Sequence, residues 1–277
     1  MTTETNQDLL SVKEEVKEEQ PLDSQLEAKA LTSEEETLYQ EMIKAGVLYG
    51  RKKSKTNPKM TKYIFTTRKG IEIFDLAQTV KLLDQAADFL REKIKNTPSS
   101  SSPKVLVVGT QPAAKELVKN FSEKFGLIYV NERWLGGTLT NFKVISQRIN
   151  YYLRTKADKE TGRLDKYTKH ERLKINELIT KMAKVFIGLE KMTQVPEALL
   201  VIDPEEHQTA VREANRLKIP VVAIASTDAN PDQIQYIVPA NDNARSSLLW
   251  VFGYIEKKLG EAPTISPVIP SEAVADK

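Results

Sequence analysis

Apolar residues return at two different periods along this chain, and the switch between them marks out its elements. Leu76, Val80, Leu83, Ala87, Leu90 and Ile94 recur at three- and four-residue steps from Asp75 onward, which predicts a helix of about five turns with one apolar face. Lys104 to Val108 reads instead as a short continuous apolar strand. Gly109-Thr110-Gln111 follows as a turn, then a helix from Pro112 to Phe125, Gly126, and a strand Leu127 to Val130. Proline suits the first helical position, where its missing N–H costs nothing. The same grammar returns as strand Ala198 to Asp203, helix Glu205 to Lys218 with Ala210, Val211, Ala214 and Leu217 inward, and strands Val221 to Ala225 and Gln235 to Val238. Continuous apolar strands alternating with amphipathic helices predict an α/β fold with a mostly parallel sheet covered on both faces.

Elsewhere the pattern is sparser. Thr32-Ser33-Glu34-Glu35 reads as a capping box ahead of a short helix with Leu38, Met42 and Ala45 as its stripe and Gly46 as its stop. Tyr63-Ile64-Phe65 and Gly70 to Phe74 predict two strands bracketing the polar Thr66 to Lys69. Residues 141 to about 192 are helical in character: Phe142, Ile145, Ile149 and Tyr152, then, past a bend at Thr161-Gly162, Leu173, Ile175, Leu178, Met182, Val185 and Leu189. They predict a helical hairpin inserted into the sheet domain, the alternative being two separate helices packed on the sheet. Residues 1–31 are polar and nearly free of aromatics, a composition that predicts a disordered leader. The stretch 261–277, with Pro263, Pro267 and Pro270, reads as a flexible tail. One α/β domain over residues 32–260 follows.

Charge changes this picture more than composition does. The net charge of the 277 residues is +3, but residues 1–40 hold three lysines against eleven acids. The leader is acidic and the body basic. Residues 41–70 carry nine Lys/Arg and one acid, and residues 141–192 carry thirteen against six. Such density is a candidate footprint for a polyanion, since lysine and arginine neutralise phosphate; a solvated charged surface is the blander reading. The absence of cysteine and the presence of only two histidines argue against thiolate zinc, cysteine nucleophiles and disulfides. The longest apolar runs, such as Val105 to Val108, fall far short of the roughly 20 residues of a membrane span. An acidic N-terminus without an apolar or Arg-rich signal adds the expectation of a cytoplasmic protein.

A doubly wound sheet invites a nucleotide or phosphosugar enzyme, but the strand-end loops lack the machinery. Gly109-Thr110-Gln111-Pro112 has neither three spaced glycines nor a lysine after a glycine, and Gly136-Gly137 opens no Gly-rich helix. No catalytic triad and no cofactor are expected. Asp203, before Pro204, and Asp228, before Asn230-Pro231, are read as helix or turn caps in preference to magnesium or ribose ligands. His207 is placed on a polar helix face and His170 in the hairpin, both satisfied or solvated. The loop Asn131 to Phe142 is different. Arg133 offers a planar fork for phosphate, Trp134 can stack or pack, Gly136 and Gly137 allow close approach, and Thr140 or Asn141 can cap the next helix. An RNA-facing loop and an internal turn with Trp134 in the core are equally open here.

The run Asn131 to Phe142, the segment from Ala45-Gly46-Val47 through Asn57-Pro58-Lys59-Met60, Tyr63-Ile64-Phe65, Arg68, Gly70-Ile71, Asp75-Leu76 and Thr79, and the run Pro196 to Pro204 closely resemble the bacterial small-subunit ribosomal protein S-two family. So do Ile219 to Ile224 and Pro239 with Asn241-Asp242, in order over about residues 35–260. The resemblance implies a flavodoxin-like domain with an inserted helical hairpin. It further implies a non-catalytic structural role on small-subunit rRNA at the head–body junction, beside neighbouring small-subunit proteins, and a part in holding ribosomal protein S-one. On this reading Arg51, Lys52, Lys53, Lys55, Lys59, Lys62, Arg68 and Lys69 face phosphate, Asn57 and Tyr63 touch sugar or base, and Arg133 adds a contact from the second loop. Two departures stand out. The family usually reads Gly-Val-His-Phe-Gly-His where this chain has Gly46-Val47-Leu48-Tyr49-Gly50-Arg51, and Ala240 replaces a glycine, making a left-handed backbone there less comfortable.

Overall fold

The computed structural model describes residues 33–95 and 102–260. The acidic leader, the Thr32 cap, residues 96–101 and the tail lie outside the described residues. By backbone contacts the chain divides into Met1–Gln40 and Glu41–Lys277. Of the first unit, the described part is the opening of helix α1 (Ser33–Ala45), which ends at Gly46 with φ +75°.

The second unit carries two sheets. The larger has five strands, β4 (Val105–Val108), β5 (Ile128–Val130), β6 (Ala198–Ile202), β7 (Val221–Ala225) and β8 (Tyr236–Pro239), in the order β5-β4-β6-β7-β8 and parallel throughout. Counted within this sheet the order is 2-1-3-4-5, that of flavodoxin-like folds. Strands β4, β6 and β7 are buried at every position, which is why they read as unbroken apolar runs. Leu106, Val108, Leu199, Val201 and Ala223 share a core with Ile145, Ile149 and Tyr152 of α4 (Phe142–Glu160) and Ala210, Val211 and Ala214 of α6 (Gln208–Arg216). Helices α2 (Leu76–Lys95), α3 (Pro112–Phe125) and α7 (Arg245–Gly260) pack on one another and on β4, β5 and β8, with Phe121 and Phe252 ring centroids 5.0 Å apart. Asp75 starts α2 by accepting from the N–H groups of Ala77 and Gln78, while Gly126, at φ +66°, closes α3.

In the expected helical segment, α4 and α5 (Lys169–Phe186) touch, the rings of Tyr152 and Phe186 lying 6.4 Å apart. Thr168 and Glu171 form a reciprocal capping box at the start of α5.

The smaller sheet is antiparallel, in the order β1-β3-β2: β1 (Tyr49–Lys52), β2 (Ile64–Arg68) and β3 (Ile71–Phe74). Strand β1 was not legible in the sequence, because Tyr-Gly-Arg-Lys shows no apolar alternation and its extended form comes from pairing with β3. Strand β2 runs through Thr66 to Arg68, correcting the turn expected there; the reversal sits at Lys69 and Gly70, with φ +50° and +76°. Helix α6 begins at Gln208 instead of Glu205, and Leu217, expected inward, is exposed. Ala240 is fully buried and its backbone is not left-handed, so the lost glycine costs nothing there.

Candidate nucleic-acid interface

The basic segment begins at Gly50, where β1 passes so close to the end of β7 that an added Cβ would lie 2.5 Å from Thr227 Cγ2. Glycine is needed for that approach. Three hydrogen bonds fix the segment there: Arg51 N–H donates to Thr227 Oγ1 (2.9 Å), Asn57 N–H to the Thr227 carbonyl (2.8 Å), and Lys53 N–H to the Gly70 carbonyl (3.0 Å). Lys53–Lys55 and Pro58–Tyr63 then form two 3-10 turns. Asn57 caps the second, its Oδ1 accepting from Lys59 N–H, and Met60 inserts into the core.

The side chains sort sharply. Lys52, Lys53, Lys55 and Lys69 are exposed and, among the described residues, face no carboxylate. Lys59 pairs with Asp232 on the surface, and the Lys62 ammonium lies 4.8 Å from the centroid of the half-buried Tyr63 ring. Arg68 is half-buried. Arg51 turns the other way. Its guanidinium meets Asp203 (3.2 Å), Asp228 (3.1 Å) and Asp242 (3.0 Å), three carboxylates from the ends of β6, β7 and β8. Arg51, expected on phosphate, thus meets internal carboxylates, and Asp228, expected as a cap, is one of its partners. Asp242 is 1 % exposed; burial and the neighbouring Asp203 charge push its carboxyl up to about 8, against the opposing pull of Arg51.

Flavodoxin-like sheets hold ligands at the crevice between the ends of their first and third strands, here β4 and β6, where Gln111 and Asp203 meet. Asp203 has φ +54°; its Oδ1 accepts from Glu205 and Glu206 N–H, the expected cap, while its Oδ2 accepts from Gln111 Nε2 (2.5 Å). His207, expected on a polar face, is buried. Its Nδ1 lies 2.9 Å from the Asp203 carbonyl and its Nε2 accepts from Thr110 N–H at 3.3 Å, which fixes the tautomer protonated at Nδ1.

The second loop is wound around a residue that sequence reasoning missed. Glu213 of α6 is buried and accepts from Trp134 Nε1 (3.1 Å), from Gly137, Leu139 and Thr140 N–H (2.8, 3.0 and 3.1 Å) and from the Thr140 hydroxyl (3.1 Å). Burial raises its pKa, but the bonds from Gly137, Thr140, Trp134 and Leu139 outweigh it, so the carboxyl is held below its ordinary value. Trp134 packs half-buried against the core, Gly137 takes φ +87°, and Gly136 is exposed. Asn141 stands at the N-cap of α4 without a side-chain cap bond, so neither it nor Thr140 plays the expected capping part. Of this loop's candidates Arg133 is exposed and, among the described residues, unpaired. A carboxylate on the buried face of α6, five residues after Gln208, was the only signal available for Glu213.

Residues 42–262 match the family model of Ribosomal protein S2, and the chain belongs to that family. It is accordingly a structural protein of the small ribosomal subunit, at home among rRNA and other ribosomal proteins. Among the described residues no helix is long and apolar enough to cross a membrane.

Proposed function

We propose that this chain docks on small-subunit rRNA through the basic segment 51–69, acting in the cytoplasm as a non-catalytic part of the subunit and helping to hold ribosomal protein S-one. The observation that supports the docking surface is the sorting of its cations: Lys52, Lys53, Lys55 and Lys69 point to solvent, while the backbone beneath them is pinned to Thr227 and by Arg51. A rigid mount spares a phosphate-binding surface much of the ordering entropy of association. Lys59, Lys62, Asn57, Tyr63, Arg68 and, from the second loop, Arg133 complete the surface in this reading. Arg51 belongs to the mount.

The test is reconstitution of small subunits with the full chain. Lys52→Glu, Lys53→Glu and Lys55→Glu together are expected to weaken rRNA binding and to reduce the salt slope by about three or more. Wild-type uptake by the triple variant would overturn the assignment. Subunits lacking this chain are expected to release S-one; full retention would remove that part of the proposal.

A further inference from the structure

Beside the basic segment lies a polar cavity of about 300 Å³, between the start of α6 and the loop after β7. Asn57 reaches it from the basic segment; Gln208 and Arg212 line it from α6, and Asn230 and Gln233 from the turn beyond β7. Its apolar wall is Val211 and Ile234, both buried. The volume sits at the bottom of the roughly 300–1,000 Å³ range of small-ligand sites, room for one flat ring system rather than a dinucleotide. Asn57 and Asn230 spend their Oδ1 on the Lys59 and Asp232 N–H groups and keep their NH2 donors, Gln208 is held between Glu205 and Arg212, and Gln233 carries a donor and an acceptor together, as the edge of a nucleobase does. The Arg212 guanidinium, held by Gln208 Oε1 at 2.6 Å, offers a plane on which a ring can stack. Glu205 and Asp228 also border the cavity, which disfavours a phosphate inside it while the exposed lysines next door attract one.

We infer that this cavity receives a single unpaired RNA base, turned out of its stack, while Lys52, Lys53 and Lys55 hold the flanking backbone. The inference rests on the rRNA-docking reading and names its base contact. RNA is commonly recognised through such splayed bases, and the mouth of the cavity shares Asn57 with the segment that would carry the phosphates.

Two measurements on the full chain separate this inference from the reading beneath it. Titration with adenosine, cytidine, guanosine and uridine, which carry no phosphate, is expected to shift the side-chain amide signals of Asn57, Gln208 and Gln233 saturably for at least one of the four. A cavity-filling Gln208→Trp is expected to abolish those shifts; no shift with any nucleoside overturns the inference whether or not rRNA binds. On rRNA, Gln208→Trp and, separately, Arg212→Ala are each expected to weaken binding about tenfold, the scale of one lost stacked base. Loss of a base contact leaves the Gln208→Trp salt slope unchanged, unlike loss of a lysine. Wild-type rRNA affinity in both variants overturns the base contact, and failure of the wild type to bind rRNA at all sinks the docking reading instead.

Discussion

Two stretches of this protein, 46–70 and 131–142, each combine glycines, short polar residues and an arginine that could reach phosphate, the first with six lysines besides and the second with none. Folded, they use their charge in opposite directions. The first keeps one arginine inside, as the cation for three aspartates, and turns its lysines out. The second contains no internal cation; a carboxylate from a distant helix gathers its N–H groups, leaving Arg133 outside. In one loop a partly buried positive charge is fixed by acids, and in the other a buried negative charge by backbone dipoles. Residue type alone therefore does not say which cation is available to a partner; the nearest carboxylate does.

The contrast is broken most severely at its two inward charges. Glu213→Ala strands several loop N–H groups, and urea unfolding at pH 7 is expected to show a loss of about 3 kcal/mol or more, with Glu213→Gln recovering part because its amide oxygen still accepts. Arg51→Ala removes the cation from three clustered aspartates, for a loss of about 2–3 kcal/mol, discounted from a fully buried pair because the arginine is partly exposed. The same variant is expected to dock more weakly on rRNA while retaining its outward lysines, which separates the mount from the contact.

Gly50→Ala ranks next. Its methyl group would lie 2.5 Å from Thr227 Cγ2 and 3.2 Å from the Glu72 carbonyl, an overpacking worth about 1–3 kcal/mol in thermal or urea unfolding.

Acid sharpens the comparison by sign. The folded-state pKa of Asp242 is raised from 3.8 to about 8, so its contribution is full below about pH 4 and lost as pH rises toward 8. Glu213 is lowered from 4.5, so its contribution is full above that value and lost as pH falls through its folded pKa. Asp242→Asn is accordingly expected to gain stability relative to wild type at pH 8 compared with pH 5, and Glu213→Gln to close its deficit as pH falls below 4.5, both read from unfolding midpoints across pH. The smallest effect is Arg133→Ala, an exposed residue: unchanged stability, and a salt slope of rRNA binding lower by about one.

The α/β class, the parallel sheet and most helix limits were legible because a strand buried on both faces must be apolar throughout and a covering helix must carry a stripe. Pro112 at the start of α3 and Gly126 at its end were legible too, since both obey local backbone rules. The family motifs were likewise present in the linear text. What only the tertiary structure decided was pairing at long range. β1 exists because β3 lies beside it; Arg51 faces inward because the ends of three strands bring Asp203, Asp228 and Asp242 to one point; Glu213 shapes a loop more than seventy residues earlier. Periodicity records how a residue meets the nearest core, whereas the partner of a charge is set by where the sheet order places distant strand ends, which no local pattern encodes.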